Sequence, residues 1–418
     1  MLTRKRRILI MLAMVVAGET IFLLPFVVAR IFRPTFLDVF QLTNFQLGSA
    51  FALYGFVAMV SYFMGGPLAD RFSARRLMTL ALISTSAGGV LFATVPSLFW
   101  LTALYGVWGL TTILLFWAAL IRATREWGGI ESQGVAYGLL DGGRGLFAAL
   151  LASISVWMFA LLLPEDVSMA TYTQRSAALK QIIWFFTFLV LLVALLVWAV
   201  IPENKPSLAT NNRNWSLSGV RRLASNRSIW LQALIVICAY SGYKATDDFS
   251  LFASDAFGYD DVAAARLGTI SFWVRPFAAV SAGILADRTK ASFMIMASFA
   301  VMLLGSSLIA IGVLKASMYW ALVLTIVATS AGIYALRGIY FSLIEEARIP
   351  MAVTGSAVGL VSVMGFTPDI FMGPLMGYLI DRSPGALGHQ HLFWVLSGFA
   401  IIGFIATVLF GRNTRIKN

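Results

Sequence analysis

Charge is scarce in this sequence. Asp, Glu, Lys and Arg make up 12% of its 418 residues, whereas 59% are hydrophobic, and mean hydropathy is +0.84. Water-soluble domains are about a quarter charged and just under half apolar, so a soluble enzyme, a disordered chain and a nucleic-acid binder are all excluded. Cysteine is nearly missing: Cys238 alone rules out a disulfide framework and a Cys-rich metal site. The only two histidines, His389 and His391, read as part of a loop near the C-terminus and argue against a His-based metal site or catalytic dyad. No metal, cofactor or enzymatic activity is expected. What is abundant is apolar sequence in long runs, and it implies a polytopic protein whose partner is the lipid bilayer.

Reading apolar stretches of about 18 residues or more as membrane spans gives twelve, over 8–29, 44–69, 77–95, 98–121, 134–162 and 182–201, then 229–253, 264–285, 292–313, 317–341, 353–380 and 391–411. The runs are continuously apolar rather than alternating, which predicts helices and not barrel strands. The first is too long for the apolar core of a signal peptide and reads as a transmembrane helix. Of 31 basic residues, twenty fall at the termini and in the even-numbered connections, seven (Arg30, Arg33, Arg175, Lys180, Arg266, Lys315 and Arg382) on the opposite side, and four inside spans. By the positive-inside rule both termini are expected in the cytoplasm, in an inner (plasma) membrane. The formal charge of +12 is thereby topology rather than a nucleic-acid footprint.

The longest polar stretch, 202–228, divides the chain into a six-span half over 1–201 and another over 229–418. It reads as a cytoplasmic linker with a short surface helix near Leu217–Leu223. The halves repeat. Gly66-Pro-Leu-Ala-Asp70-Arg71 after span 2 matches Gly283-Ile-Leu-Ala-Asp287-Arg288 after span 8, and Gln133-Gly-Val-Ala-Tyr-Gly138-Leu in span 5 matches Thr354-Gly-Ser-Ala-Val-Gly359-Leu in span 11. Transporters built from such repeats place the substrate between the halves, near the bilayer midplane.

The two halves, the basic linker and the loop Gly66-Pro-Leu-Ala-Asp70-Arg71-Phe-Ser-Ala-Arg75-Arg76 resemble the major facilitator superfamily, whose loop signature is approximately G-x-L-A-D-R-x-G-R-R. Ser73 stands where the family prefers glycine, a change expected to restrain the turn. The resemblance implies an all-α fold of two pseudo-symmetric six-helix bundles and alternating access by rocking of the halves. It also implies a gate: Asp70 would contact a helix N-terminus of the opposite half, a placement that favours an anion by about 0.3–1 kcal/mol when exposed. Arg71, Arg75 and Arg76 would complete the latch, with Asp287 and Arg288 as the second copy. Drug/proton exporters of this family carry G-x-x-x-G-P-x-x-G-G in span 5. Here Gly138 is followed by Leu-Leu-Asp-Gly-Gly-Arg without proline, which lowers that reading.

An ionisable side chain at mid-membrane costs at least about 2.5–3.5 kcal/mol on insertion scales, so each needs a reason. Glu19, Arg144, Lys244 and Arg275 fall near mid-depth, Asp369 nearer one side, Asp141 and Arg337 nearer the other. Asp141 and Arg144 are three residues apart, and Lys244 precedes Asp247 and Asp248 by three and four, spacings that permit pairing on one helix face. Arg275 has no acid within four residues, and Pro276 weakens its helix; it reads as a ligand for an anion, with a buried pair to Glu19 or Asp369 as the structural alternative. Arg337 also lacks an acidic neighbour. Glu19 is either a proton carrier or a structural counter-ion, with Asp369 the second carrier candidate. Tyr243 and Trp273 are further lining candidates. Gly142-Gly143-Arg144-Gly145 and Gly365-Phe-Thr-Pro368-Asp369 read as close-packing and flexing points. If local pairs form, Arg275 and Arg337 exceed Glu19, and surplus guanidinium suits an anion.

The function expected from these residues is a secondary transporter of a small organic or inorganic anion, such as an organic or sugar acid, working as a monomer. Arg275, Arg144, Lys244 and Arg337 would bind the cargo, with coupling to protons or to a counter-anion. Two alternatives remain open at this point: a proton-coupled exporter of hydrophobic or cationic compounds, and a non-transporting membrane receptor or assembly partner.

Overall fold

The computed structural model describes residues 4–129, 133–203, 225–315, 317–349 and 351–416. Most of the linker and the helix expected near Leu217–Leu223 lie outside these residues. Among the described residues there is no strand, and twelve helical segments cross the molecule. The first half contains α1 (Arg4–Ile31), α2 (Asn44–Arg71), α3 (Ala74–Ala93), α4 (Leu98–Gly128), α5 (Gln133–Leu162) and α6 (Tyr172–Val200). The second contains α7 (227–257), α8 (Asp261–Arg288), α9 (Ala291–Ala310), α10 (Tyr319–Glu346), α11 (351–382) and α12 (Ala386–Ile416). This is an all-α multi-pass membrane protein of two six-helix bundles. An even number of crossings puts both chain ends on one face, the terminal face; the other is the far face.

Local sequence explains where the helices start and bend. Thr43 with Gln46, and Thr171 with Gln174, form capping boxes that satisfy the first free amides of α2 and α6. Asp260 accepts from Val262 and Ala263 at the start of α8. Ser73 restrains the signature turn as expected, because its hydroxyl accepts from the Arg76 amide and caps α3. Pro25 removes one backbone donor from α1, and the helix widens to a π turn over Leu23–Val27. Helix α7 breaks at a tight turn, Thr246–Asp248, between Arg227–Ala245 and Phe249–Phe257, and ends on Gly258 at φ 68°. Helix α11 breaks between Gly365 and Pro368, as the glycine-proline stretch predicts. Eleven of the twelve are long and apolar enough to cross a bilayer; α7 is interrupted by Lys244, Asp247 and Asp248.

Three sequence boundaries are corrected. Helix α6 begins at Tyr172, so Arg175 and Lys180 lie on a helix rather than in a loop. Helix α12 begins at Ala386, which moves His389 and His391 from a loop into its first turns. Helix α1 runs to Ile31 and carries Arg30, counted above among loop cations, into the interior at 5% exposure. For Arg30 and His389 the hydropathy boundary was set by polar residues that in fact face protein.

Hydrogen bonds and ion pairs between the halves run from mid-depth to the far face. Thr35 donates to Asp261 at 2.7 Å, Arg175 pairs with the same carboxylate at 3.0 Å, and Asp381 accepts from the Asn44 and Phe45 amides at the start of α2. Helices α2 and α11 touch through glycine: a Cβ at Gly48 would sit 2.1 Å from the Gly373 carbonyl oxygen, and one at Gly377 2.4 Å from that of Asn44. Backbone cannot yield there as a side-chain tip would. The far face is closed. Gly48→Ala is expected to cost about 1–3 kcal/mol by overpacking and to lower the thermal unfolding midpoint of the purified protein; an unchanged midpoint would remove this packing from the account.

Candidate functional site

Between the halves lies a cavity of about 110 Å³ whose wall includes Arg30, Arg144, Lys244, Arg275 and Arg337, together with the carboxyls of Glu19 and Asp369. The sequence-selected charges inside the spans are thus brought together. Tyr243 is in the wall, as are Tyr240 and Phe366. Trp273 is not. Two positions before Arg275 on α8 it points about 200° away around the helix, is 37% exposed, and donates to the Ser153 hydroxyl at 2.9 Å; its place as a lining candidate is corrected. The side missed by sequence is that of Arg30, whose signal would have been an arginine one turn past Pro25 in an otherwise apolar run.

The charges are arranged in two clusters. In the first, Glu19 of α1 lies 3.4 Å from Arg144 of α5 and 3.4 Å from Arg275 of α8, so one carboxylate bridges the two halves. Asp141 reaches Arg275 at 3.6 Å and Arg144 at 3.9 Å. The unpartnered Arg275 expected from sequence is therefore corrected: its acid comes from another helix, the structural alternative named above, yet it remains in the cavity wall. Of the two roles open to Glu19, this geometry matches the counter-ion. Arg144 fits here because α1 and α5 approach closely, with Gly18 opposite the Arg144 side chain and Gly143 against Val15. The Asp141 side chain is 54% exposed, on the terminal-face side of this cluster.

In the second cluster, Lys244 lies 3.3 Å from Asp369 and 3.8 Å from Asp247, while Tyr240 donates to Asp369 at 3.1 Å. Asp247 also holds Arg30 across the halves. The spacing that suggested Lys244 with Asp248 is not realised, because Asp248 turns to His389 at 2.7 Å. Aromatic faces complete the cages: Lys244 stands 4.7 Å over Phe26, Arg30 4.7 Å over Tyr243, and Arg337 3.8 Å over that same tyrosine.

Four of the five cations thus have a carboxylate within ion-pair distance. Among the described residues Arg337 has none, and its Nη1 is buried without a hydrogen-bond partner. The Arg144 Nε makes no well-aligned hydrogen bond, but it is the atom that faces Glu19 at 3.4 Å. The pairs to Glu19, at 3.4 Å, are longer than the 2.7–2.9 Å of well-made charge-assisted bonds. Arg337 is thus the cavity cation whose charge no carboxylate at ion-pair distance balances among the described residues.

The signature loop is away from the cavity and unlatched. Asp70, Arg71, Asp287 and Arg288 are exposed and make no ion pair among the described residues. Arg76 pairs with Glu203 at the start of the linker, and Arg75 lies 4.1 Å over Trp198 of its own half.

Against known proteins, the family description "Major Facilitator Superfamily" matches residues 8–368. Among curated proteins, "Inner membrane protein YqcE" of Escherichia coli (strain K12) is 26% identical over 90% of this chain and 87% of its own, and "Inner membrane protein YihN" of the same organism is 26% identical over 98% and 96%. Among solved structures, a point variant of the nucleoside transporter NupG superposes with a TM-score of 0.74, covering 97% of this chain and 99% of that one at 15% identity. A bacterial homolog of the human lysosomal transporter Spinster, in an inward-facing and occupied conformation, superposes at 0.73 over 98% of each chain, also at 15% identity.

Breaking a buried pair from one side costs about 3–5 kcal/mol, whereas removing both partners costs far less. Lys244→Ala is therefore expected to destabilise the protein more than Lys244→Ala combined with Asp369→Asn. A double-mutant cycle on chemical or thermal unfolding measures this, and additive losses would contradict the pair.

Proposed function

The chain belongs to the major facilitator superfamily and is a transporter of that family, and from this premise we propose that its cargo is a small anion carried across the inner membrane by alternating access. The observation that supports the cargo is Arg337: a guanidinium in the cavity wall with a buried, unpartnered Nη1 and no carboxylate in reach. A carboxylate, phosphate or sulfonate oxygen would complete it. Arg275, Lys244 and Arg30 set the local field while held by their own acids. A cavity of about 110 Å³ is below the roughly 300–1,000 Å³ of drug-sized sites, which favours a small solute over a bulky hydrophobic one.

In this reading the halves 1–201 and 229–418 rock about the cavity, the terminal face is cytoplasmic, and the structure is the inward-open state. Coupling is by proton or counter-anion exchange. Asp369, held by Lys244 and Tyr240, is the carrier that the geometry favours, with Glu19 serving as the bridge between bundles. Asp70 and Arg71, with Asp287 and Arg288, engage the opposite half only when the cytoplasmic side closes, which is why they stand unpaired here.

A thermal-shift screen of the purified protein against glucuronate, gluconate, phosphate and nitrate tests the cargo class, because a bound ligand raises stability by mass action. Stabilisation by one of these anions is expected, and Arg337→Gln should weaken it by about 1.5–3 kcal/mol, roughly 10- to 150-fold in Kd. Stabilisation by hydrophobic cations instead, lost in Glu19→Gln and kept in Arg337→Gln, would overturn the reading.

A further inference from the structure

Three titratable groups form a cluster that the cavity does not include. His389, near the start of α12 and fully buried, directs Nδ1 at Asp248 Oδ2 (2.7 Å) and Nε2 at Asp255 Oδ2 (3.2 Å). Asp248 is fully buried, whereas the Asp255 side chain is 32% exposed and lines a groove at the far face with Thr43, Asn44 and Asp381. Both acids come from α7. Helices α9 and α11 also pack on α12 but bring no titratable group to the imidazole among the described residues; Phe252 covers its ring at 5.4 Å.

A neutral imidazole has one donor and one acceptor nitrogen. Here each nitrogen faces a carboxylate oxygen, so the arrangement holds one proton more than a neutral histidine and two carboxylates contain. One carboxylate opens toward the far face, which provides a route for that proton. The other is poorly served: Asp248 Oδ1 is buried with no hydrogen-bond partner among the described residues.

The cluster is tied mechanically to the closure between the halves. Asp248 belongs to the tight turn Thr246–Asp248. Its neighbour Asp247 holds Arg30 of α1 and reaches Lys244, and Ser250 donates to the Arg30 carbonyl at 2.8 Å. His389 thus fixes, through one residue, the turn that grips α1 through two others. At the other end of the groove Asp381 caps the start of α2.

We propose that Asp255, His389 and Asp248 are a proton-binding site reached from the far face, and that its occupancy controls the closure of that face. With the proton bound, the imidazole bonds both carboxylates and the turn is held against Arg30. When the proton leaves, one nitrogen lone pair confronts a carboxylate, the turn is released, and the far face can part. The site gates the far face for the transport proposed above, in which Asp369 carries the coupling proton, and it rests on that reading for its purpose, although its test needs no cargo.

The test is the pH dependence of the far-face distance, by double electron–electron resonance on the full chain in lipid nanodiscs. Spin labels at Ser168→Cys and Ser317→Cys, exposed positions on the two halves, are placed in a Cys238→Ala background. Between about pH 5 and about pH 11, wide enough to hold the titration of a histidine set between two carboxylates, the closed population should fall as pH rises, by about tenfold in its ratio to the open one. His389→Gln should abolish the dependence, His391→Gln should keep it, and Asp255→Asn should move its midpoint to lower pH. A population independent of pH in the parent protein, or the same profile in His389→Gln, overturns the proposal. Should His389→Gln fail to fold, Asp255→Asn decides, and an unmoved midpoint overturns it. Loss of the pH response with intact anion binding removes only this site, and loss of anion binding with an intact response removes only the cargo reading.

Discussion

Charges buried within an apolar bundle must be compensated, and here the compensating partners sit on opposite halves of the molecule. Glu19 of α1 faces Arg275 of α8, and Arg30 of α1 is held by Asp247 of α7. A bundle that rocks open has to break such contacts. Stripping one partner from a buried pair costs about 3–5 kcal/mol, too much for a carrier that must occupy both states. The arrangement answers this by sharing. Glu19 keeps Arg144 within its own half when Arg275 departs, and Arg275 keeps Asp141 in reach only from the other side. Under the proposed function, an incoming anion would stand in for a departing carboxylate, so that the cargo would be part of the electrostatic closure rather than a passenger in it.

Much of this was legible in the sequence because the bilayer imposes a coarse rule. Apolar length marks the spans, and the repeated Gly66–Arg71 and Gly283–Arg288 segments mark the duplication. The ionisable residues at mid-depth, Glu19, Arg144, Lys244 and Arg275, do meet in one cavity. What hydropathy could not resolve lies at helix ends, where a polar residue facing protein reads like one facing water. Arg30 and His389 were both displaced from the interior on that ground. Side-chain direction was the other loss. Trp273 is adjacent in sequence to the site and turned away from it, whereas Arg275 meets its acid on a helix 256 residues earlier, a pairing that spacing along one helix cannot reveal.

The glycine contacts and the charge network divide the labour between them. Backbone-to-backbone contact at Gly48 and Gly373 permits close approach at the far face but has little say in when it forms. In the proposal above the decision falls to titratable groups beside the broken segment of α7, where the helix ladder is interrupted. Lys244 and Asp247 stand beside that break, and Asp369 beside the one in α11, within reach of both the cavity and the closure.

Arg337 is the one cavity cation with no carboxylate at ion-pair distance among the described residues, and in the proposed reading an anion takes the place beside it. Anomalous diffraction from crystals grown with bromide measures that directly. A bromide peak at ion-pair distance from Arg337, beside the Tyr243 ring, is the result the account predicts. Ordered bromide elsewhere on the protein with none in the cavity, or a guanidinium already closed on a carboxylate of its own chain, would contradict it.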